Sequence, residues 1–194
     1  MDSNRNDTRE KILLATIKLM RKEGIKAMTT RKIAKEAGVN EVTLFRHFGN
    51  KEGLAKAAVE KFSYESSMLK IFQNVEWDLE KDLYEICKAY QEHLNKNQDV
   101  IMIGLKEANS WPGLIEEIAN IPRQLKVLII NYFSKMQEKG KIINTNPEAQ
   151  AMNFMWVNFG FFLSRAQFGE NVTNLSHDEF IKHCVQIFSR GLKP

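Results

Sequence analysis

The feature that most constrains the fold is residues 29–54, where two short amphipathic segments flank a glycine. Thr29 or Thr30 can cap a short helix, because a threonine oxygen accepts a backbone amide of the first helical turn. Gly38 supplies the positive φ that a tight turn requires, and Asn40 is a suitable cap for the helix that follows it. The stretch therefore predicts two short helices joined by a tight turn.

The second of these helices is predicted over Glu41–Phe48. Leu44 and Phe48 fall on one face of it and predict the buried side. The opposite face combines a β-branched residue, an aromatic ring, an arginine and a histidine, a mixture that suits base edges and phosphates in a DNA major groove. Its members are Glu41, Val42, Thr43, Phe45, Arg46 and His47. The stretch thus predicts a helix-turn-helix whose second helix reads DNA.

A wider set of residues carries a family resemblance. The set is Thr8-Arg9-Glu10, Gly24, Thr30, Ile33-Ala34, Ala37-Gly38-Val39, Thr43-Leu44-Phe45, His47-Phe48 and Asn50-Lys51-Glu52. In these residues and their spacing the run resembles the DNA-binding domain of TetR-type transcriptional repressors, and the length and helical pattern of the chain are similar to that family. The resemblance implies an all-α fold, with an N-terminal three-helix helix-turn-helix DNA-binding domain at 6–66 and a C-terminal helical effector-binding and dimerisation domain at 67–194.

Eleven residues are candidates for DNA contact, in the motif 29–48 and at the start of the next helix. They are Thr29, Thr30, Arg31, Asn40, Glu41, Val42, Thr43, Phe45, Arg46, His47 and Lys51. Thr30 offers a hydroxyl and an amide to a phosphate, as helix N-termini do, and a simple capping role explains it equally well. Arg31 is suited to a guanine edge or a phosphate, with a solvated arginine as the alternative.

The resemblance assigns roles to five other members of this set. It implies base or backbone contacts for Glu41, Val42 and Thr43, in the first turn of the recognition helix. It implies phosphate contacts for His47 and Lys51, for which a solvated surface pair is the alternative.

Position 45 departs from the family pattern, which most often has tyrosine there. Phe45 can still press on a thymine methyl group, but the hydroxyl bond to phosphate is lost. Arg46 is then a candidate for supplying compensating charge.

Charge is unevenly distributed along the chain. The net charge is +4, but residues 1–61 hold 14 lysines and arginines against 8 acidic residues, whereas residues 62–194 hold 14 against 16. The basic end therefore coincides with the predicted helix-turn-helix. Phosphate binding by a basic patch releases counterions, so we expect DNA affinity to fall steeply with salt.

The sequence favours a cytoplasmic protein. The N-terminus is polar and charged, unlike a signal peptide. The most apolar run, Phe154–Leu163, is shorter than the ~20 residues that span a bilayer. Cys87 and Cys184 lie singly in apolar helical patterns without metal-ligand spacing, so we expect both to be small core side chains in a reducing compartment.

From Trp77 onward the pattern predicts helices, with no alternating strand signal and no internal repeat. A long helix is expected before that point, over about Lys51–Phe72, leading out of the DNA-binding domain. The later helices are expected over about 77–95, 98–109, 114–119 and 122–138, with Trp111-Pro112-Gly113 as a break.

The last two helices carry the dimerisation signal. Asn146 followed by Pro147 predicts the start of a helix that reaches about Phe168, and its middle is apolar on every side. One face therefore needs its own domain and the other needs a further partner. Ser176 with Glu179 is a capping box for the last helix. Two neighbouring helices with surplus apolar faces predict a homodimer through a four-helix bundle, which the resemblance also implies.

Aromatic, methionine and neighbouring side chains of the second domain are candidates for an effector pocket, because such side chains adapt to apolar ligands. They are Tyr90, His93, Met102, Leu105, Trp111, Tyr132, Phe133, Met155, Trp156, Phe159 and Phe162. An ordinary core position is the alternative for each, and for His93 a satisfied or solvated histidine. No charged residue is clearly isolated in an apolar setting, so the charge of the effector is left open.

These features favour a ligand-responsive repressor, a homodimer that binds a palindromic operator and is released when a small apolar molecule binds. The alternative is an architectural or constitutive DNA-binding protein without an effector. An enzyme is not expected, because the sequence shows no nucleophile elbow, glycine-rich phosphate loop or metal-ligand spacing. The expected partners are double-stranded DNA, an unknown apolar effector and a second copy of the chain, with no cofactor, metal or membrane.

Overall fold

A computed structural model describes residues 2–61, 66–109 and 113–194, with the backbone alone at residues 2–5, 66 and 67. Within these ranges the secondary structure is entirely helical, as the sequence predicts. The helices are α1 Asp2–Ala27, α2 Thr30–Ala37, α3 Glu41–Phe48, α4 Lys51–Glu60, α5 Ser66–Gln73, α6 Leu79–Lys96, α7 Gln98–Glu107, α8 Leu114–Glu138, α9 Pro147–Phe168 and α10 His177–Leu192.

Several helix starts lie where capping residues predict them. Thr29 accepts the amide of Lys32 ahead of α2. The Asn146 side chain accepts two amides of α9, with Pro147 in the first turn. The capping box of Ser176 and Glu179 is formed in both directions at α10. These capping interactions lie within one helical turn, so the sequence alone predicts them.

Other helix boundaries differ from expectation. The prediction of two helices, over about 114–119 and 122–138, is wrong, because the single helix α8 continues through Pro122. Proline lacks one amide donor but keeps a helical φ, and the apolar residues on both sides of it are packed, with Ile118 and Ile121 against one core and Leu125 buried. A single helix is expected over about Lys51–Phe72, and its two ends are observed as α4 and α5. Residues 62–65 between them lie outside the described residues, so the continuity of this helix stays a prediction. Trp111 and Pro112 of the expected break also lie outside the described residues.

The first compact unit, here called the head unit, contains the described residues of 1–63 and 99–121. Helices α1 to α4 pack around an apolar core that α7 and the first turns of α8 complete. Its members include Ile12, Met20, Ile33, Leu44, Leu54, Val100 and Leu114. Residues from the middle of the chain thus belong to the core beneath the helix-turn-helix. The functional division at residues 66 and 67 stays a prediction.

The second compact unit, here called the body unit, contains the described residues of 64–98 and 122–194. Its central helix is α6, which packs against α5, α9 and α10. Phe133, Phe154 and Phe162 are fully buried there, and the Phe161 and Phe180 rings stack with centroids 4.0 Å apart. None of the described helices is both long and apolar enough to cross a lipid bilayer.

A buried carboxylate anchors the segment that leads into α6. Asp82 accepts hydrogen bonds from the Glu76 amide at 2.8 Å and from the Tyr132 hydroxyl at 3.0 Å. Burial and the nearby negative charge of Asp82 raise the pKa of Tyr132, which keeps its hydroxyl a donor. Trp77, whose φ is +60°, stacks on Tyr132. This contact joins α8 to the start of α6 through a polar group inside an apolar core.

Candidate nucleic-acid interface

The helix-turn-helix is formed by α2, a glycine turn and α3. Gly38 has the left-handed conformation, φ 67° and ψ 32°, and the Val39 amide donates to the Ala34 carbonyl at 2.9 Å. Asn40 then caps α3, its side-chain oxygen accepting the Thr43 amide at 2.7 Å. Glycine is favoured at position 38 because most L residues resist this φ. The turn fixes the direction in which α3 leaves α2.

A side-chain bond ties α2 to the recognition helix α3. The Thr30 hydroxyl donates to the Glu41 carboxylate at 2.8 Å. Thr29, rather than Thr30, provides the cap of α2. Thr30 and Glu41 are both candidates for DNA contact, and their bond sets the position of the Glu41 carboxylate on the first turn of α3.

The outward face of α3 is unusually apolar for a solvent-exposed surface. Val42 is 75% exposed and Phe45 is 43% exposed. Arg46 beside them is exposed, whereas Thr43 and His47 are half-buried. Leu44, on the opposite face, is fully buried in the core. An exposed pair of apolar side chains next to an arginine matches the chemistry of thymine methyl groups and of guanine acceptor edges or phosphates.

The basic residues of this surface fall into two groups. Lys32 pairs with Glu23 at 2.6 Å, and Lys18 pairs with Glu36. In the described part of the chain, Arg31, Arg46 and Lys51 have no carboxylate within 4.0 Å. The arginine and lysine candidates for DNA contact are therefore among the cations that have no carboxylate partner in the described residues.

Gly53 positions the start of α4 beneath α3, a role that the sequence motif alone does not identify. Asn50 caps α4 by accepting the Gly53 amide at 2.7 Å. A Cβ atom at Gly53 would lie 2.2 Å from the Phe48 carbonyl oxygen. The close approach requires glycine, although its φ is ordinary. Arg9 of α1 lies over the Phe48 ring, 5.3 Å from its centroid, and covers the same junction.

Glu107, near the middle of the chain, contacts the backbone between α1 and α2, directly before the helix-turn-helix. Its carboxylate accepts the backbone amides of Ile25 at 2.7 Å and of Lys26 at 3.0 Å. Gly24, with φ 77° and ψ 169°, ends the regular part of α1 directly beneath this carboxylate. The contact lies within the head unit and joins α7 to the connection between α1 and α2. A pattern limited to residues 29–54 gives no sign of it.

The candidate effector residues occupy several environments. In the body unit, Tyr90, Tyr132, Phe133, Met155 and Phe162 are buried, His93 and Phe159 are half-buried, and Trp156 is 70% exposed. Met102 and Leu105 lie on α7 in the head unit, and Trp111 lies outside the described residues. Their assignment to effector binding stays a prediction.

A groove of about 580 Å³ lies on the body unit between α6 and α10. Its lining is mostly charged or polar and contains none of the candidate effector residues. The lining residues are Glu76, Asp78, Glu80, Lys81, Tyr84, Glu85, Lys182, Val185 and Gln186.

The capped α2, the left-handed turn and the exposed α3 define a helix-turn-helix DNA-binding protein. A family model described as bacterial regulatory proteins, tetR family, matches residues 12–58. The chain is 34% identical over 185 residues to the HTH-type transcriptional regulator YvkB of Bacillus subtilis (strain 168), and the match covers 95% of this chain and 97% of that protein. The chain belongs to the TetR family and is a DNA-binding transcriptional regulator.

The chain is also similar to a partial relative and, in its fold, to two solved structures. The nucleoid occlusion factor SlmA of Vibrio cholerae is 36% identical over 107 residues, which cover 55% of this chain and 48% of that protein. NalD, the secondary repressor of the MexAB-OprM multidrug efflux pump in Pseudomonas aeruginosa, superposes with a TM-score of 0.76 at 19% identity, covering 98% of both chains. The flavonoid-responsive regulator FrrA superposes with a TM-score of 0.75 at 17% identity, covering 96% of this chain and 97% of that one. At these identities the two structures support the fold alone.

Proposed function

We propose that this protein is a cytoplasmic, ligand-responsive repressor that binds a palindromic operator as a homodimer and releases it when a small apolar molecule binds. The observation that carries the proposal is the outward face of α3, where Val42, Phe45 and Arg46 are exposed together. Exposed apolar side chains are unfavourable in water, but in a major groove they pack against thymine methyl groups. Arg46 and Arg31 supply the charge for phosphates or guanine edges.

DNA recognition is tested by fluorescence anisotropy of the full chain with a duplex from its own upstream region and with a scrambled duplex. We expect binding to the upstream duplex to be tighter by about 10³-fold or more at physiological salt. Arg46→Ala should weaken binding and reduce the salt slope by about 1 if it contacts a phosphate. Lys88→Ala, at an exposed position of α6, is the matched control. Equal affinity for both duplexes contradicts the proposal.

The dimer is proposed to form through α9 and α10. Trp156 on α9 and Ile187 on α10 are 70% and 71% exposed, and Val157 is exposed beside Trp156. A Cβ atom built on Gly160 of α9 meets no atom within 4 Å, which leaves room for a helix of a second copy to approach. Exposed large apolar side chains on two successive helices favour burial against an identical pair. The two head units of the dimer would then bind half-sites that are separated by about one turn of DNA, ~34 Å, or by more.

Light scattering after size exclusion tests the dimer. We expect the wild-type chain to be dimeric and Trp156→Glu/Ile187→Glu to be monomeric, because a buried unpaired carboxylate is costly at an interface. Val172→Glu is the matched control, since Val172 is 64% exposed but lies in the loop before α10. A strictly monomeric wild-type chain contradicts the proposal.

Effector response is proposed to act through α7 as well as through α4. Helix α7 carries two candidate effector residues, Met102 and Leu105, and it also carries Glu107, which holds the amides of Ile25 and Lys26. An effector that binds one position of α7 better than another changes this contact and the support of α2. Coupling requires only such a difference in affinity, and about 1.4 kcal/mol changes DNA affinity tenfold.

The architectural alternative differs in one measurable respect. It is favoured by the similarity over 107 residues to SlmA, a nucleoid occlusion factor, and it predicts DNA binding that no small molecule relieves. A panel of apolar and aromatic compounds separates the two. A compound that both raises the melting temperature and releases operator DNA supports the repressor, whereas stabilisation without release supports the alternative.

A further inference from the structure

The two cysteines of the chain meet at one asparagine side chain inside the body unit. The Cys87 thiol, on α6, donates to the Asn158 side-chain oxygen at 3.0 Å. The Asn158 side-chain amide in turn donates to the Cys184 sulfur, on α10, at 3.8 Å. Cys87 and Asn158 are fully buried, and Cys184 is 5% exposed. The expectation that both cysteines lie in the core is correct, but they form a polar pair rather than two separate apolar positions.

The surroundings of the two sulfurs are unequal. The neighbouring Cys184 thiol and burial raise the pKa of Cys87. The neighbouring Cys87 thiol and the Asn158 amide, from which the Cys184 sulfur accepts at 3.8 Å, lower the pKa of Cys184. Donors that point at a sulfur stabilise its thiolate form. Cys184 is therefore the nucleophilic member of the pair, and Cys87 holds its proton beside it.

We propose that Cys87 and Cys184 form a two-electron redox site, which peroxides oxidise to an intramolecular disulfide. Hydrogen peroxide is small and close to water in size, which suits a site with only an edge of Cys184 exposed. The inference does not depend on DNA binding or on the effector. It concerns a reaction of the body unit alone.

The reaction has two steps. The Cys184 thiolate attacks one peroxide oxygen, the O–O bond breaks, and the other oxygen leaves as hydroxide, which takes up a proton to become water. The sulfur is oxidised by two electrons to a sulfenic acid. The Cys87 sulfur then attacks the Cys184 sulfur, the S–O bond breaks, and the departing hydroxide leaves as water with the Cys87 proton. Two thiols and one hydrogen peroxide thus give one disulfide and two water molecules.

The disulfide changes the packing around Asn158. It removes the Cys87 thiol proton, so the Asn158 side-chain oxygen keeps only its bond from the Gln91 amide at 2.9 Å. The new covalent bond joins α6 to α10 directly. Because both sulfurs lie within hydrogen-bonding distance of the same Asn158 side chain, we expect the sulfenic acid to be trapped as a disulfide before a second peroxide reaches it. The site should therefore resist irreversible oxidation.

The test uses the full-length reduced chain and hydrogen peroxide, with thiols counted by Ellman's reagent in guanidinium. We expect both thiols to disappear together, a peptide map to contain a Cys87 to Cys184 crosslink that lacks two hydrogens, and dithiothreitol to restore both thiols. Mapping is needed because the chain also has 8 methionines, which peroxide oxidises independently. Two fully titrating thiols, after an exposure that oxidises glutathione in a parallel sample without protein, overturn the proposal.

Two variants separate the roles of the sulfurs. In Cys87→Ser the Cys184 sulfenic acid has no internal partner, so dimedone should label it. In Cys184→Ser the remaining thiol should react much more slowly. Labelling of Cys87 in preference to Cys184, or a crosslink between chains rather than within one, overturns the assignment. Circular dichroism melts check that each variant is folded, and the wild-type crosslink decides the question in either case.

Discussion

Replacing Gly24 with alanine perturbs the contact between Glu107 and the connection from α1 to α2. Gly24 has φ 77° and ψ 169°, a conformation that is essentially restricted to glycine, and alanine in such a region costs about 1–3 kcal/mol. The added Cβ would lie 2.3 Å from a Glu107 carboxylate oxygen, so the carboxylate must move. The Ile25 amide, which is buried, then loses its acceptor, and an unsatisfied buried donor costs about 1–3 kcal/mol more.

Together these effects predict a loss of about 2–6 kcal/mol, a large part of the 5–15 kcal/mol that stabilises a typical domain. The assay is urea unfolding followed by far-UV circular dichroism, with hydrogen exchange at the Ile25 and Lys26 amides as the local measurement. Gly140→Ala is the matched control, since Gly140 has φ 64° and no atom within 4 Å of a built Cβ. It should lose only the backbone part, about 1–2 kcal/mol.

A double-mutant cycle isolates the contribution of the carboxylate. In the Glu107→Ala background, Gly24→Ala should cost only its backbone part, because the clash and the two amide bonds are already absent. Equal losses for Gly24→Ala and Gly140→Ala, or a Gly24→Ala effect that is the same with and without Glu107, would refute the reasoning.

Three further substitutions have expected outcomes. Tyr132→Phe removes a donor to buried Asp82 and should cost about 1–3 kcal/mol in urea unfolding, whereas Tyr84→Phe at an exposed site should change little. Gly53→Ala places a Cβ against a backbone oxygen and should lower the melting temperature, whereas Gly191→Ala, in open space on α10, should raise stability by up to about 1 kcal/mol. Ser176→Ala should cost about 1 kcal/mol at neutral pH. Hydrogen bonds from the Ser176 side chain and backbone lower the pKa of Glu179 from its usual value, so this difference should shrink as pH falls through that depressed pKa in calorimetric scans.

The parts of the fold that the sequence predicts are those determined within a few residues. Asn40, Asn146 and Ser176 each cap the helix that follows them, and Gly38 adopts the turn conformation that its position requires. A cap acts on the next two or three amides, so its partner is already visible in the sequence. The exposed face of α3 follows from the same local periodicity, because Leu44 and Phe48 mark the inward side, where Leu44 is fully buried and Phe48 packs against the core.

The parts that the sequence does not predict depend on residues that are distant along the chain. Glu107 accepts the Ile25 amide, and Cys87 and Cys184 both hydrogen-bond to Asn158, and no spacing rule connects the members of either set. The continuation of α8 through Pro122 follows from packing on both sides of it, which overrides a local preference. An aspartate such as Asp82 is ordinarily found at the surface of a helix. Here it is buried, because its carboxylate accepts hydrogen bonds from the Glu76 amide and the Tyr132 hydroxyl. Tertiary partners decide these positions.

The energy of the Glu107 contact is large enough for the effector response proposed above. A hydrogen bond to a charged group contributes about 1.5–3 kcal/mol, and Glu107 makes two of them, to the Ile25 and Lys26 amides. Losing one in the effector-bound form would shift the equilibrium between two positions of α2 by more than the 1.4 kcal/mol that corresponds to a tenfold change in affinity. In the proposed response, Thr30 would transmit the same displacement to α3, because its hydroxyl donates to Glu41. Glu107→Ala, which removes the two amide bonds, and Thr30→Val, which removes the third bond, should therefore each weaken the effect of an effector on DNA affinity.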